Sequence, residues 1–194
     1  LTFERHHRVL FTRYTMTSAH ISIIPEFVEK IEMIGGLEYF NVNKTEIINN
    51  KTGVEVLFRG IKTSQGNQTA NLKSLQGVST WIVDEAEELV DEAMFDDIDL
   101  SIRNSHVQNR IIIILNPSTK EHWIYRRFFE GAGVQEGFNG VKGDVCYIHT
   151  DFRDNINNLS PSFIAALARM ETENPAKYKH KILGGWLERA EGVI

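Results

Sequence analysis

Apolar positions along the chain alternate between short continuous runs and stretches where they recur every three or four residues. RVLFT at 8–12 is a short β-type run, and residues 17–19 suit the start of a helix. Ile21, Ile24, Phe27, Val28, Ile31 and Ile34 then mark one helical face, which Gly35 and Gly36 stop. Residues 45–49 and 54–58 flank a polar turn ending at Gly53, a hairpin signal in which Gly53 suits a positive φ. From Gly60 to Asn71 the chain is polar and reads as an irregular loop. Loops that long inside a compact domain are usually functional or disordered.

The second half continues the alternation. STWIV at 79–83 reads as a buried strand that ends in Asp84 and Glu85, followed by a helix over roughly 95–103. The most apolar run, IIIIL at 111–115, ends abruptly at Asn116 and Pro117. Residues 121–130 form an amphipathic helical pattern with Trp123, Ile124 and Phe128, and residues 145–148 form a further strand. Helices starting at Pro161 and Pro175 precede Gly184, Gly185 and Trp186. Continuous rather than alternating apolar strands, separated by helices, predict a three-layer α/β domain. Its sheet should be mostly parallel and buried on both faces. The hairpin near 45–58 would be an antiparallel addition.

Composition narrows the classes. The 194 residues include 42% hydrophobic and 24% charged positions, which suits a globular chain able to bury a sizeable core. A single cysteine, Cys146, excludes a disulfide framework and a four-cysteine zinc module. No apolar run approaches the ~20 residues of a membrane helix, so no membrane partner is expected. With 21 basic against 26 acidic residues, a net charge of −5 argues against coating nucleic acid by charge alone. The chain begins at Leu1 and its first methionine is Met16, as expected of a piece of a longer protein.

Asp84 and Glu85 are the sharpest chemical signal. A buried parallel strand delivers two acids at its carboxyl end, where α/β folds bind ligands. In phosphoanhydride hydrolysis the first acid holds Mg²⁺, usually through water, and the next deprotonates the attacking water. The same residues would also suit a strand ending in a solvated acidic turn, since Glu87 and Glu88 follow. Asn116, at the tip of a neighbouring strand, could touch a γ-phosphate or its water; Asn-Pro also favours a plain turn. Histidine and cysteine spacings offer no zinc site, and no nucleophile-elbow motif is present. A GxxxxGK[ST] phosphate loop is missing. The segment from Gly53 through Gly60 to Lys62 and Thr63 has the wrong glycine spacing and follows a hairpin strand, so it is rejected.

Taken in order, the segments resemble the ATPase domain of tailed-bacteriophage terminase large subunits, the motors that package viral DNA. The matching stretches are RVLFTR at 8–13 with Thr15, VLFRG at 56–60, LKSLQG at 72–77, WIVDEAEE at 81–88, and Ile102 with Arg103. They continue with ILNP at 114–117, His122-Trp123, TDFRDN at 150–155 with Leu159, residues 175–178, and Gly185-Trp186. The resemblance implies a P-loop NTPase fold of the ASCE type, incomplete at its N-terminus. Residues 1–190 would be the later part of the ATPase domain, and 191–194 the start of a linker to a nuclease domain absent from this chain.

By the same resemblance, Asp84 falls on the family's magnesium-associated acid and Glu85 on its catalytic glutamate. Asn116 falls in the segment coupling nucleotide state to movement. Arg13, placed just after a strand, could contact nucleotide or simply pack; Lys73 and Arg103 are left outside the site. The implied cofactors are ATP and Mg²⁺. Implied partners are double-stranded DNA, a portal protein, a small terminase subunit and further copies of the chain on the portal, in the cytoplasm of a bacterial host. The parent should hydrolyse ATP, whereas this chain alone is expected to be inactive without a phosphate loop. The alternatives are a non-catalytic interaction module, a prophage remnant, or another ASCE motor such as a helicase.

Overall fold

The computed structural model describes residues 1–15, 22–63, 66–67, 72 and 75–189. The expected helix start at 17–19, Ile21 and Lys73 lie outside them. Two compact units divide the chain, one up to Leu115 and one from Asn116.

A mixed sheet organises the first unit. Its strands are β1 (Arg8–Thr15), β2 (Phe40–Val42), β3 (Glu46–Asn49), β4 (Glu55–Thr63), β5 (Gly66–Asn67), β6 (Thr80–Val83) and β7 (Arg110–Ile113). They run in the order β2-β3-β4-β1-β6-β7, with β5 on β4. The centre is parallel: β1 pairs with β4 and β6, and β6 with β7. The predicted hairpin is β3–β4, with Gly53 at φ 74°, and the antiparallel addition is larger than predicted because β2 and β5 join it. Part of the predicted loop after Gly60 is strand instead. β4 runs on to Thr63, so Gly60 and Lys62 sit in a ladder opposite Arg13 and Thr15.

Side-chain alternation sorts this sheet into two faces. On one, Val9 and Phe11 of β1, Ile47, Val56, Phe58 and Ile82 pack against Ile24, Phe27 and Ile31 of helix α1 (Ile24–Met33). Opposite, Trp81 is fully buried and stacks on Phe95 of helix α2 (Glu92–Asp99), with ring centroids 5.2 Å apart. Helix, sheet and helix make the three expected layers. α2 starts earlier than its apolar period suggests because the Asp91 carboxylate accepts from the Ala93 N–H. It also ends earlier, at Asp99: Ser101 and Ile102 donate three residues back, to Ile98 and Asp99, tightening the last turn. β7 departs from the expectation of burial on both faces. Among the described residues it pairs only with β6, and Ile112 and Ile114 are 40% and 47% exposed.

The second unit has its own small core. The strand predicted at 145–148 is β9 (Val145–Tyr147), which pairs with β8 (Gly140–Lys142) in a separate hairpin rather than joining the main sheet. The amphipathic helix over 121–130 winds as a wide π-helical segment at Tyr125–Glu130, closed by Gly131 N–H donating to the Arg126 carbonyl at 2.8 Å. A Cβ at Gly131 would lie 2.9 Å from that oxygen, so only glycine fits the closure. Tyr125 and Phe129 from this segment pack on Trp186, with ring centroids 5.2 and 5.5 Å away. α3 (Pro161–Glu173) and α4 (Pro175–Lys181) begin at the prolines that predicted them, capped by Ser160 and Asn174. Among the described residues no helix is long and apolar enough to cross a membrane.

Candidate functional site

Register alone places the first two site residues together. In the β1–β6 ladder Val9 lies opposite Thr80 and Phe11 opposite Ile82. Two residues further on the same face come Arg13 on β1 and Asp84 just past β6. The Asp84 N–H donates to the Thr12 carbonyl at 2.9 Å, holding the acid at the carboxyl end of the strand pair. Arg13 Nε donates to Asp84 Oδ2 at 2.7 Å, and each side chain is 16% exposed. Arg13 is therefore inside a strand, not after one. β1 extends to Thr15 because β4 pairs with it as far as Lys62.

Glu85 turns sharply out of the strand. Its backbone adopts φ 53° and ψ 45°, a left-handed conformation uncommon for a residue with a side chain. Two bonds fix that turn: Ala86 N–H donates to the Ile114 carbonyl at 2.9 Å, and Glu88 N–H to the Glu85 carbonyl at 3.0 Å. The Glu85 carboxylate lies 3.2 Å from a terminal nitrogen of Arg13, so one guanidinium faces both acids. Its other terminal nitrogen donates to Ser22 Oγ at 2.8 Å.

Burial, then the charges of Glu85 and Glu87, push the Glu88 carboxyl above its ordinary range, with Arg13 opposing. Sequence reasoning treated Glu88 as part of a solvated run and missed that it belongs to the cluster. It missed Ser22 altogether, because no local pattern pairs that hydroxyl with Arg13.

Asn116 belongs to the second unit. It is exposed and follows the end of β7 by three residues. The strand leading to it is nonetheless the parallel neighbour of the strand leading to Asp84, with Val83 opposite Ile113.

Could these acids hold a metal? Among the described residues no group of three or more His, Cys, Asp or Glu side chains is placed to form a protein cage. Asp84 and Glu85 instead offer hard oxygen donors in a pair. That suits Mg²⁺, which is commonly held by one or two carboxylates with substrate phosphates and water completing the shell.

Comparison with known proteins follows the same outline. The large terminase of a thermophilic bacteriophage superposes with a TM-score of 0.70 at 14% identity, covering 95% of this chain and 42% of that one. The same phage protein in complex with ATP-gamma-S gives 0.64 at 11% identity, covering 95% and 41%. The large terminase ATPase domain of Thermus phage P74-26 gives 0.59 at 15% identity, covering 95% and 78%. The chain thus spans about two-fifths of the length of the thermophilic bacteriophage's large terminase. No curated protein sequence matches it. The family profile described as "Phage terminase large subunit" matches residues 2–185, and the chain belongs to that family.

Proposed function

We propose that this chain is part of the ATP-hydrolysing domain of a viral DNA-packaging motor, and that Asp84 and Glu85 are its working acids. The observation that carries the reading is the placement of both carboxylates at the carboxyl end of β6, the edge where α/β folds bind ligands. Asp84 would hold Mg²⁺, through water, and Glu85 would help position the attacking water. A bound ion there would supply positive charge against the charge that develops on the phosphates. Glu85 takes the proton from the water that attacks. Asn116, following the neighbouring strand, couples nucleotide state to movement. Complexes of the thermophilic bacteriophage's large terminase with ADP and with ATP-gamma-S support nucleotide as the ligand. Double-stranded DNA, a portal ring, a small terminase subunit and neighbouring copies are the partners, in the cytoplasm of a bacterial host.

The test is a pair of substitutions in the full-length protein. Glu85→Gln keeps size and hydrogen bonding but cannot accept a proton. DNA-stimulated hydrolysis should fall ~10²–10⁴-fold with ATP binding nearly intact. Asp84→Asn should weaken metal-dependent binding and turnover together. Wild-type hydrolysis by Glu85→Gln would remove the catalytic assignment.

A further inference from the structure

We propose that Arg13 is a charge latch on the acid pair: it holds Asp84 and Glu85 assembled before a divalent cation arrives, and it competes with that cation for Asp84. This rests on the reading of Asp84 as the cation-holding acid.

Three observations support the latch. First, adjacent carboxylates at a strand end repel one another, and partial burial raises that cost. One guanidinium at 2.7 Å from Asp84 and 3.2 Å from Glu85 offsets both charges at once. Second, the arrangement needs a fork. Nε serves Asp84 while a terminal nitrogen serves Glu85, a division of donors that the point charge of lysine cannot reproduce. Third, Ser22 fixes the far side of the guanidinium at 2.8 Å, so the fork is anchored independently of the acids.

Competition follows from occupancy. Asp84 Oδ2 already accepts from Arg13, and two cations beside one carboxylate oxygen repel. Loading the site therefore requires Arg13 to release Asp84, while the Ser22 and Glu85 contacts retain the side chain nearby. Arg13 is on this account a positioning residue, and its removal should tighten cation binding even as it loosens the geometry of Glu85. A merely structural arginine predicts the opposite sign, since an unsupported Asp84 would bind less well.

Manganese provides the readout, without nucleotide and independent of turnover. In the full-length protein, Mn²⁺ binding followed by electron paramagnetic resonance should be about tenfold tighter in Arg13→Met than in wild type, on the scale of one removed charge ~5 Å away. Arg13→Gln, which removes the charge but keeps a donor for Asp84, serves if the methionine variant does not fold, and should also bind Mn²⁺ more tightly. Asp84→Asn, with Arg13 intact, should lose the site. Equal or weaker Mn²⁺ affinity in folded Arg13 variants, with Asp84→Asn still damaging, would overturn the latch and spare the metal assignment. Unchanged affinity in Asp84→Asn would remove the metal assignment and the latch with it.

Discussion

Trp81 Nε1 donates to Thr12 Oγ1 at 2.9 Å, and that hydroxyl donates in turn to the Ile82 carbonyl at 3.2 Å. Thr12 and Trp81 are both fully buried, so this relay locks β1 to β6 one residue below Arg13 and Asp84. Thr12→Val keeps the shape but strands the indole N–H in an apolar layer. Urea denaturation should show a loss of about 1–3 kcal/mol, the cost of an orphaned buried donor, whereas Thr12→Ser should retain most of the stability. Equal stability for Thr12→Val and wild type would mean that the indole finds another acceptor.

Glu88 gives a pH-dependent signature of the acid cluster. Its carboxyl is raised by burial and by Glu85 and Glu87, so the folded state holds its proton more firmly than the unfolded chain does. Stability from this group is complete at acid pH and declines as pH rises through the raised value. Glu88→Gln should therefore be more stable than wild type at pH 7 and indistinguishable below the ordinary carboxylate range. High salt should shrink the difference, because Glu88 is exposed and its neighbours' charges are screened. Matched denaturation curves at two pH values and two salt concentrations would decide it.

Asp151 predicts the reverse slope in the second unit. Its carboxylate pairs with Arg153 and caps the short helical turn Phe152–Asn158 by accepting from the Arg153 N–H. The hydrogen bonds from Arg153, with its charge and that of His149, hold the carboxyl down to about 2, against an ordinary value of 3.8. Stability from this pair is present above the ordinary value and lost as pH falls towards about 2. A carboxyl-carbon NMR titration should place the midpoint near 2, and Asp151→Asn should flatten the acid limb of the stability curve. A midpoint at the ordinary value would show that Arg153 does not hold the carboxylate in solution.

Nucleotide affinity should be weak in these 194 residues, which hold no GxxxxGK[ST] loop. Phosphate grip in such sites comes mainly from loop amides and a lysine, and Gly60 and Lys62 lie in a paired strand instead. Calorimetric titration of the 194-residue chain with Mg·ATP should give no micromolar binding. Micromolar affinity would show that another segment cradles the phosphates.

Much of this arrangement is legible in the sequence because apolar runs report burial directly. The run ending at Val83 is a central strand, and its acids emerge where the pattern puts them. Pro161 and Pro175 mark helix starts because a missing N–H costs nothing in the first turn. The Arg13 fork is harder to see. It depends on register between strands some seventy residues apart, and local periodicity carries no record of partners. β7 misleads for a related reason: IIII at 111–114 reads as doubly buried, yet its place at the rim of the described sheet leaves alternate isoleucines open. Residues 145–147 have strand character but no signal saying which sheet they join.

At the centre of the described sheet lies a strand that precedes both of its neighbours in the chain, and that order sets a timetable for synthesis. β1 emerges before either neighbour, for its parallel partners begin only at Glu55 and Thr80. At ~5–20 residues per second a ribosome needs several seconds to supply both. During that interval the run from Arg8 to Thr15 has nothing in its own ladder to zip against, and closing such distant pairs costs chain entropy before it returns any contact energy. Nascent chains should thus leave β1 incompletely paired until β6 has cleared the exit tunnel, which makes β1 a segment that a holding chaperone would protect during translation.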